Sequence, residues 1–162
     1  MELRLYSFVN FYLSSIQQGI QTGHAAVDLV RKYEENTAHP SDDHQDLCEM
    51  VADWADNHKT FIILNGGDKD AVAASTQIIS TSGFPFAVFL EPGINNAECV
   101  AAVLPESIFN AKLRQSNAAL SLQDSQPVYE YVNPENTQVT AYYPNHKHYE
   151  LIKLLRASRL AS

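Results

Sequence analysis

Four short apolar runs, each closed off by turn residues, limit what this chain can fold into. They lie at 3–11 (LRLYSFVNF), 60–64 (TFIIL), 85–90 (PFAVFL) and 99–104 (CVAAVL). Runs of this length, rich in β-branched, aromatic and small apolar residues, read as strands. The run at 60–64 lacks polar alternation and so suits a strand buried on both faces. The stretches between the first three runs are long enough for helical crossovers, which join parallel strands. Only a short loop separates the last two runs, as an antiparallel pair requires. The expected architecture is therefore a three-layer α/β fold: a four-stranded mixed sheet with helices on both faces.

The helices show in spacing and in caps. Ser14 and Ser15 offer an N-cap, and a helix follows to about Tyr33 with Ile16, Ile20, Ala26, Val27 and Val30 as its expected apolar face. Gly19 and Gly23 fall inside it, each costing about 1 kcal/mol relative to alanine, so close packing at these two positions is the expected compensation. A polar loop at 36–43 leads to a second helix at about 46–57, where Leu47, Met50, Val51 and Trp54 share one face. Asn65-Gly66-Gly67-Asp68 reads as a turn with Asp68 as N-cap of a third helix, ending near Ser80. After Leu104 the pattern weakens. A short helix within 105–113, a polar stretch at 116–126, a hairpin from 128–132 and 138–143, and a helix at 148–160 are expected. Residues 1–109 thus read as the α/β core, and 110–162 as a C-terminal extension packed on it, too short and weakly patterned to own a core.

Composition narrows the setting. The chain has 162 residues, a formal net charge of -8 and two cysteines, Cys48 and Cys99. Two cysteines make no disulfide framework and read as core thiols. The first residues lack the pattern of a secretory signal, and no apolar run approaches the ~20 residues of a membrane span. A cytoplasmic protein with no membrane partner is expected. The negative charge argues against sequence-blind nucleic-acid binding, which needs clustered cations.

Residues 7–30, SFVNFYLSSIQQGIQTGHAAVDLV, carry Gln21, His24 and Ala25 in a Gln-x-x-His-Ala arrangement on a helix that follows a strand and loop. Glu91-Pro92-Gly93 ends the third strand, and a short loop leads to the fourth. In both respects the chain resembles the peptidyl-tRNA hydrolase family of archaea and eukaryotes, over about residues 3–105. The resemblance implies an α/β hydrolase that acts on the ester of a tRNA- or nucleotide-like ligand, with its site at the strand ends. Glu91 takes the place of the family's aspartate, and Asn95 falls where a threonine stands. The family's lysine-bearing first loop here reads YLSSIQQ at 12–18, with no lysine. That departure opens the alternative of a non-catalytic module that sequesters a nucleotide or a partner protein.

The candidate catalytic pair is His24 and Glu91, with Asn10, Gln21 and Asn95 as ligand-binding neighbours. Gln21 and His24 lie three apart and share a helix face. Asn10 and Glu91 sit at strand ends, where open α/β sheets bind ligands. The residues alone favour a packed, hydrogen-bonded His24 and a solvated Glu91, and the resemblance brings the two readings level. Lys153 and Arg156, with Arg159 and His146-Lys147-His148, make the C-terminal segment locally basic. They suit phosphate contacts or simply complement a helix dipole. His146 and His148 lack partners at metal-ligand spacing, and neither a metal nor a cofactor is expected. Asn65-Gly66-Gly67-Asp68 reads as an anion cradle or, more economically, as a plain turn. Self-association of the C-terminal helix into a homodimer is a further expectation.

Overall fold

The computed structural model describes residues 1–34, 41–113, 128–135, 139–143 and 147–161. Its centre is a four-stranded mixed sheet of order β2-β1-β4-β3, built from β1 (Leu3–Val9), β2 (Thr60–Asn65), β3 (Phe86–Glu91) and β4 (Ala97–Pro105). β1 and β2 are parallel, with Val9 opposite Asn65. β4 runs antiparallel to both β1 and β3, with Phe8 opposite Val100 and Leu90 opposite Glu98. The C-terminal ends of β1, β2 and β3 therefore lie along one edge of the sheet. The polar segment at 116–126, Gln138 of the hairpin, most of the loop at 36–43 and His146 fall on or among residues outside those described.

Side-chain alternation divides the core in two. On one face Leu3, Leu5, Val9, Ala87, Cys99, Ala101 and Val103 pack against α1 (Ser15–Lys32), α2 (Asp42–Asp53) and the π-helical turn Trp54–His58. On the other, Tyr6, Phe8, Leu64, Val100, Ala102 and Leu104 pack against α3 (Lys69–Ser80), α4 (Glu106–Phe109) and α5 (Lys147–Ala157). A small antiparallel sheet, β5 (Lys112–Leu113), β6 (Tyr129–Val132) and β7 (Val139–Tyr143), adds Tyr131 and Tyr143 to this second core. Ile108, Leu151 and Ile152 are completely buried there.

Local chemistry sets the helix starts. Ser14 caps α1 in a capping box: its Oγ accepts from the Gln17 N–H, and Gln17 Oε1 accepts from the Ser14 N–H. Asp68 caps α3 by accepting from the Ala71 N–H. α5 stops at Ala157, short of the expected 160, because the chain turns back to the sheet. There Asn65 donates to the Arg159 carbonyl at 2.8 Å and Ala161 to the Ile63 carbonyl at 2.9 Å, with Leu160 bridged to Leu64. This pairing satisfies the outer edge of β2, which would otherwise offer unpaired backbone groups.

α1 departs from expectation. Its buried residues are Gln18, Gln21, Thr22, Ala25, Ala26 and Leu29. Ile16 is 76% exposed, Ile20 50% and Val27 62%, so of the expected apolar face only Ala26 is in the core. Nor are Gly19 and Gly23 closely packed, since a Cβ at either would meet nothing within 4 Å. Small residues at the contact (Ala25 and Ala26 against Ala87 and Ala101) suit a close seating of α1 on the sheet. That closeness brings its polar face to the strand ends.

Candidate functional site

Glu91 is the last residue of β3, and three groups address its carboxylate. Gln21 Nε2 donates to Oε2 at 3.0 Å, and the Gly93 N–H donates to Oε1 at 3.3 Å. His24 Nδ1 lies 3.7 Å from Oε2, an ion-pair distance once the imidazole is protonated. The His24 ring sits edge-on to Phe89, with centroids 4.5 Å apart, while about half of its side chain remains open to solvent. α1 thus supplies Gln21 and His24 one turn apart, β3 supplies Glu91 and Phe89, and the structure brings Gln21, His24 and Glu91 together.

Asn10 follows β1 along the same sheet edge. Its Nδ2 donates to the Glu98 carbonyl at 3.2 Å, so it attaches to β4 and has no hydrogen bond to Gln21 or Glu91. Both amide orientations follow from these bonds, because a carbonyl or carboxylate can only accept. The groups left over are Asn10 Oδ1 and Gln21 Oε1, both buried and without a hydrogen-bond partner among the described residues. Phe11 and Tyr12 come next and are more than half exposed, their rings edge-to-face at 5.6 Å. Asn95 is exposed in the β3–β4 turn with φ of 47°, a left-handed conformation that asparagine tolerates.

The remaining candidates lie elsewhere. Lys153 and Arg156 belong to α5, across the sheet from α1, and Arg156 donates to the Ala111 carbonyl. They do not join Gln21, His24 and Glu91. In the turn after β2, the Gly66 N–H is spent on the Val9 carbonyl, the Gly67 N–H on Asn65 Oδ1 and the Ala71 N–H on Asp68. With those donors used internally, the segment is a turn. Among the described residues, no group of three His, Cys, Asp or Glu side chains is arranged to hold a metal ion, and no helix is long and apolar enough to cross a membrane.

Beneath the site, Ser7 and Thr22 went unnoticed in the sequence, and Cys99, expected as a core thiol, joins them. Ser7 Oγ lies 2.8 Å from Thr22 Oγ1 and 3.3 Å from Cys99 Sγ, a buried polar thread linking β1, α1 and β4. Burial pushes the Cys99 thiol up to about 11, so it stays protonated and unreactive at neutral pH. Gln18 anchors the preceding loop by donating to the Leu13 carbonyl at 3.1 Å. Gln18, Gln21, Thr22, Ala25 and Leu29 share one helical face, so the signal was a run of small and polar residues at helical spacing. The sequence matches no protein-family model and no curated protein.

Proposed function

We propose that this chain is a divergent peptidyl-tRNA hydrolase-like protein whose strand-end cleft binds a tRNA- or nucleotide-like ligand and hydrolyses its ester. The observation that carries the reading is the Glu91 carboxylate, held by Gln21 and faced by His24 where β3 ends. The element order and the position of this carboxylate before the turn into β4 agree with the family's pattern. Exposed Phe11 and Tyr12 beside Asn10 offer rings on which bases stack, each worth about 1–3 kcal/mol.

In this reading Glu91 is the general base. Its carboxylate takes a proton from a water as the water oxygen bonds to the acyl carbon, the acyl–oxygen bond breaks, and the departing alkoxide takes a proton from His24 or solvent. Gln21 is a positioning residue that fixes the carboxylate. One observation favours binding without turnover: residues 5–30 and 71–111, the segments that carry Asn10, Gln21, His24 and Glu91, contain no lysine or arginine to steady an oxyanion.

Hydrolysis of aminoacyl- and peptidyl-ester tRNA analogues tests the proposal, with thermal shift in parallel. Glu91→Gln is expected to cut turnover about 10²–10⁴-fold, as loss of a positioned base does. Full activity in that variant would remove Glu91 from the chemistry. Ligand-induced stabilisation without product would leave the sequestering module.

A further inference from the structure

The outer face of α1 carries apolar side chains that the single chain does not cover. Ile16, Ile20, Val27 and Val30 are exposed, and Gly19 and Gly23 lie among them with open space where a Cβ would stand. Positions 16, 20, 23, 27 and 30 recur every three to four residues, the spacing of a coiled-coil seam, opposite the buried Gln21, Ala25 and Leu29. Beside the C-terminal half of this seam lies a cavity of about 370 Å³ with an almost wholly apolar surface. Val27, Val30, Trp54 and Phe61 form its wall; Arg31 and Lys59 are the charged residues that line it, and Arg31 lies 3.6 Å from Glu34. With Phe61, the seam leaves on the order of 500 Å² of apolar surface open, at roughly 200 Å² for a fully exposed large side chain. A standard interface buries about 800 Å² per partner, so this patch and its rim match a modest dimer contact.

We infer that this face docks a second copy of the chain, α1 against α1, antiparallel about a twofold axis at Gly23. The seam is symmetric about that residue. Reversing the helix there sets Ile16 of one copy over Val30 of the other and Gly19 over Val27, while Gly23 meets Gly23. Val27 thus falls on the gap left by a glycine, and Ile16, the most exposed residue of the seam, reaches the cavity beside Val30. Bare backbone at the crossing lets the two helices approach closely. The twofold axis uses every pairing twice, and antiparallel helices set positive N-terminal ends beside negative C-terminal ones. An unrelated partner would have to supply a matching ridge and hollow; a second copy already carries both. The contact also accounts for two glycines that each cost about 1 kcal/mol in a helix and pack against nothing within the single chain. His24 stands about 100° round the helix from Gly23, on the flank towards Phe89, so the inference is independent of the proposed use of Glu91.

Sedimentation equilibrium of the intact protein over roughly 1–200 μM, where contacts of this size begin to hold, tests the inference. The 18.1 kDa chain is expected to pass from monomer to dimer across that range. Gly23→Leu, which puts a branched side chain on the axis, should weaken association about tenfold or more. Val27→Glu should weaken it roughly a hundredfold, because the symmetry buries its charge twice. In dilute, monomeric solution Gly23→Leu should unfold at no less urea than wild type, which separates a lost contact from a damaged fold. With diamide as oxidant, Gly23→Cys should link two copies through a disulfide, whereas Asp28→Cys, off the seam, should not. A protein that stays monomeric throughout would overturn the inference and leave the face to a different partner. So would a dimer indifferent to both Gly23→Leu and Val27→Glu, which would move self-association to another surface such as α5.

Discussion

Replacing Gly66 with alanine puts the contact that frames the site under a direct test. Gly66 lies just after β2 and donates at 2.7 Å to the carbonyl of Val9, the residue that precedes Asn10. A Cβ there would stand 2.9 Å from the Val9 oxygen, 3.2 Å from its nitrogen and 2.8 Å from Val72 Cγ2. Two of these atoms are backbone, fixed by the β1–β2 ladder, so the strand ends must part by about half an ångström to restore ordinary contact. Overpacking of this kind costs about 1–3 kcal/mol. The stretched Gly66–Val9 hydrogen bond adds about 1 kcal/mol, offset by a similar gain from a stiffer unfolded chain. A net loss near 2 kcal/mol corresponds to a Tm about 4–8 °C lower for a chain of this size. Urea and thermal unfolding measure it, with Gly23→Ala as the internal contrast. Gly23 is helical and its Cβ meets nothing within 4 Å, so that change should stabilise by about 1 kcal/mol. Equal effects of the two substitutions would refute the reasoning.

Two further outcomes follow from the cores. Leu151 is completely buried in the second core, so Leu151→Ala should cost about 2–5 kcal/mol in urea unfolding and keep one cooperative transition; a loss under 1 kcal/mol would mean α5 is only loosely docked. The Cys99 thiol, raised from 9.0 to about 11, stays protonated in the folded chain while the unfolded chain ionises. Its contribution is therefore intact below pH 9 and is lost as pH climbs towards about 11, at most about 3 kcal/mol. Burial raises Tyr6, Tyr33 and Tyr143 as well, which steepens the same limb. Urea midpoints against pH should fall less steeply for Cys99→Ala than for wild type, and parallel curves would count against the buried thiol.

The strands were legible because each is a short apolar run ended by glycine, proline or asparagine, and the mixed directions followed from connection length. Ser14 and Asp68 announced their helices through side-chain oxygens that satisfy the first free N–H groups. α1 misled because periodicity registers hydrophobic residues, and Ile16, Ile20 and Val27 lie on its outer side. The tail at 159–161 was also illegible: pairing with β2 is a long-range contact, while its local sequence continues a helical pattern. Of the site, Gln21, His24 and Glu91 were singled out by the resemblance, with strand-end position and helix spacing in support. The grouping of Ser7, Thr22 and Cys99 could not, since nothing local ties a serine on β1 to a thiol on β4.

The orientation of α1 is itself an argument about purpose. Rotated to bury Ile16, Ile20 and Val27, the helix would take more apolar surface from water, at about 1.5–3 kcal/mol for each large side chain. Instead it turns Gln18, Gln21 and Thr22 inward, and burying such groups costs stability unless each finds a partner. Gln18 finds the Leu13 carbonyl, Thr22 finds Ser7, and Gln21 finds Glu91 with only one of its two amide atoms. The helix is therefore satisfied everywhere along this face except where it meets the candidate site. Among the described residues, the one buried acceptor on this face without a donor is Gln21 Oε1, beside Glu91 and His24, so the polar cost of this orientation is concentrated at the candidate site.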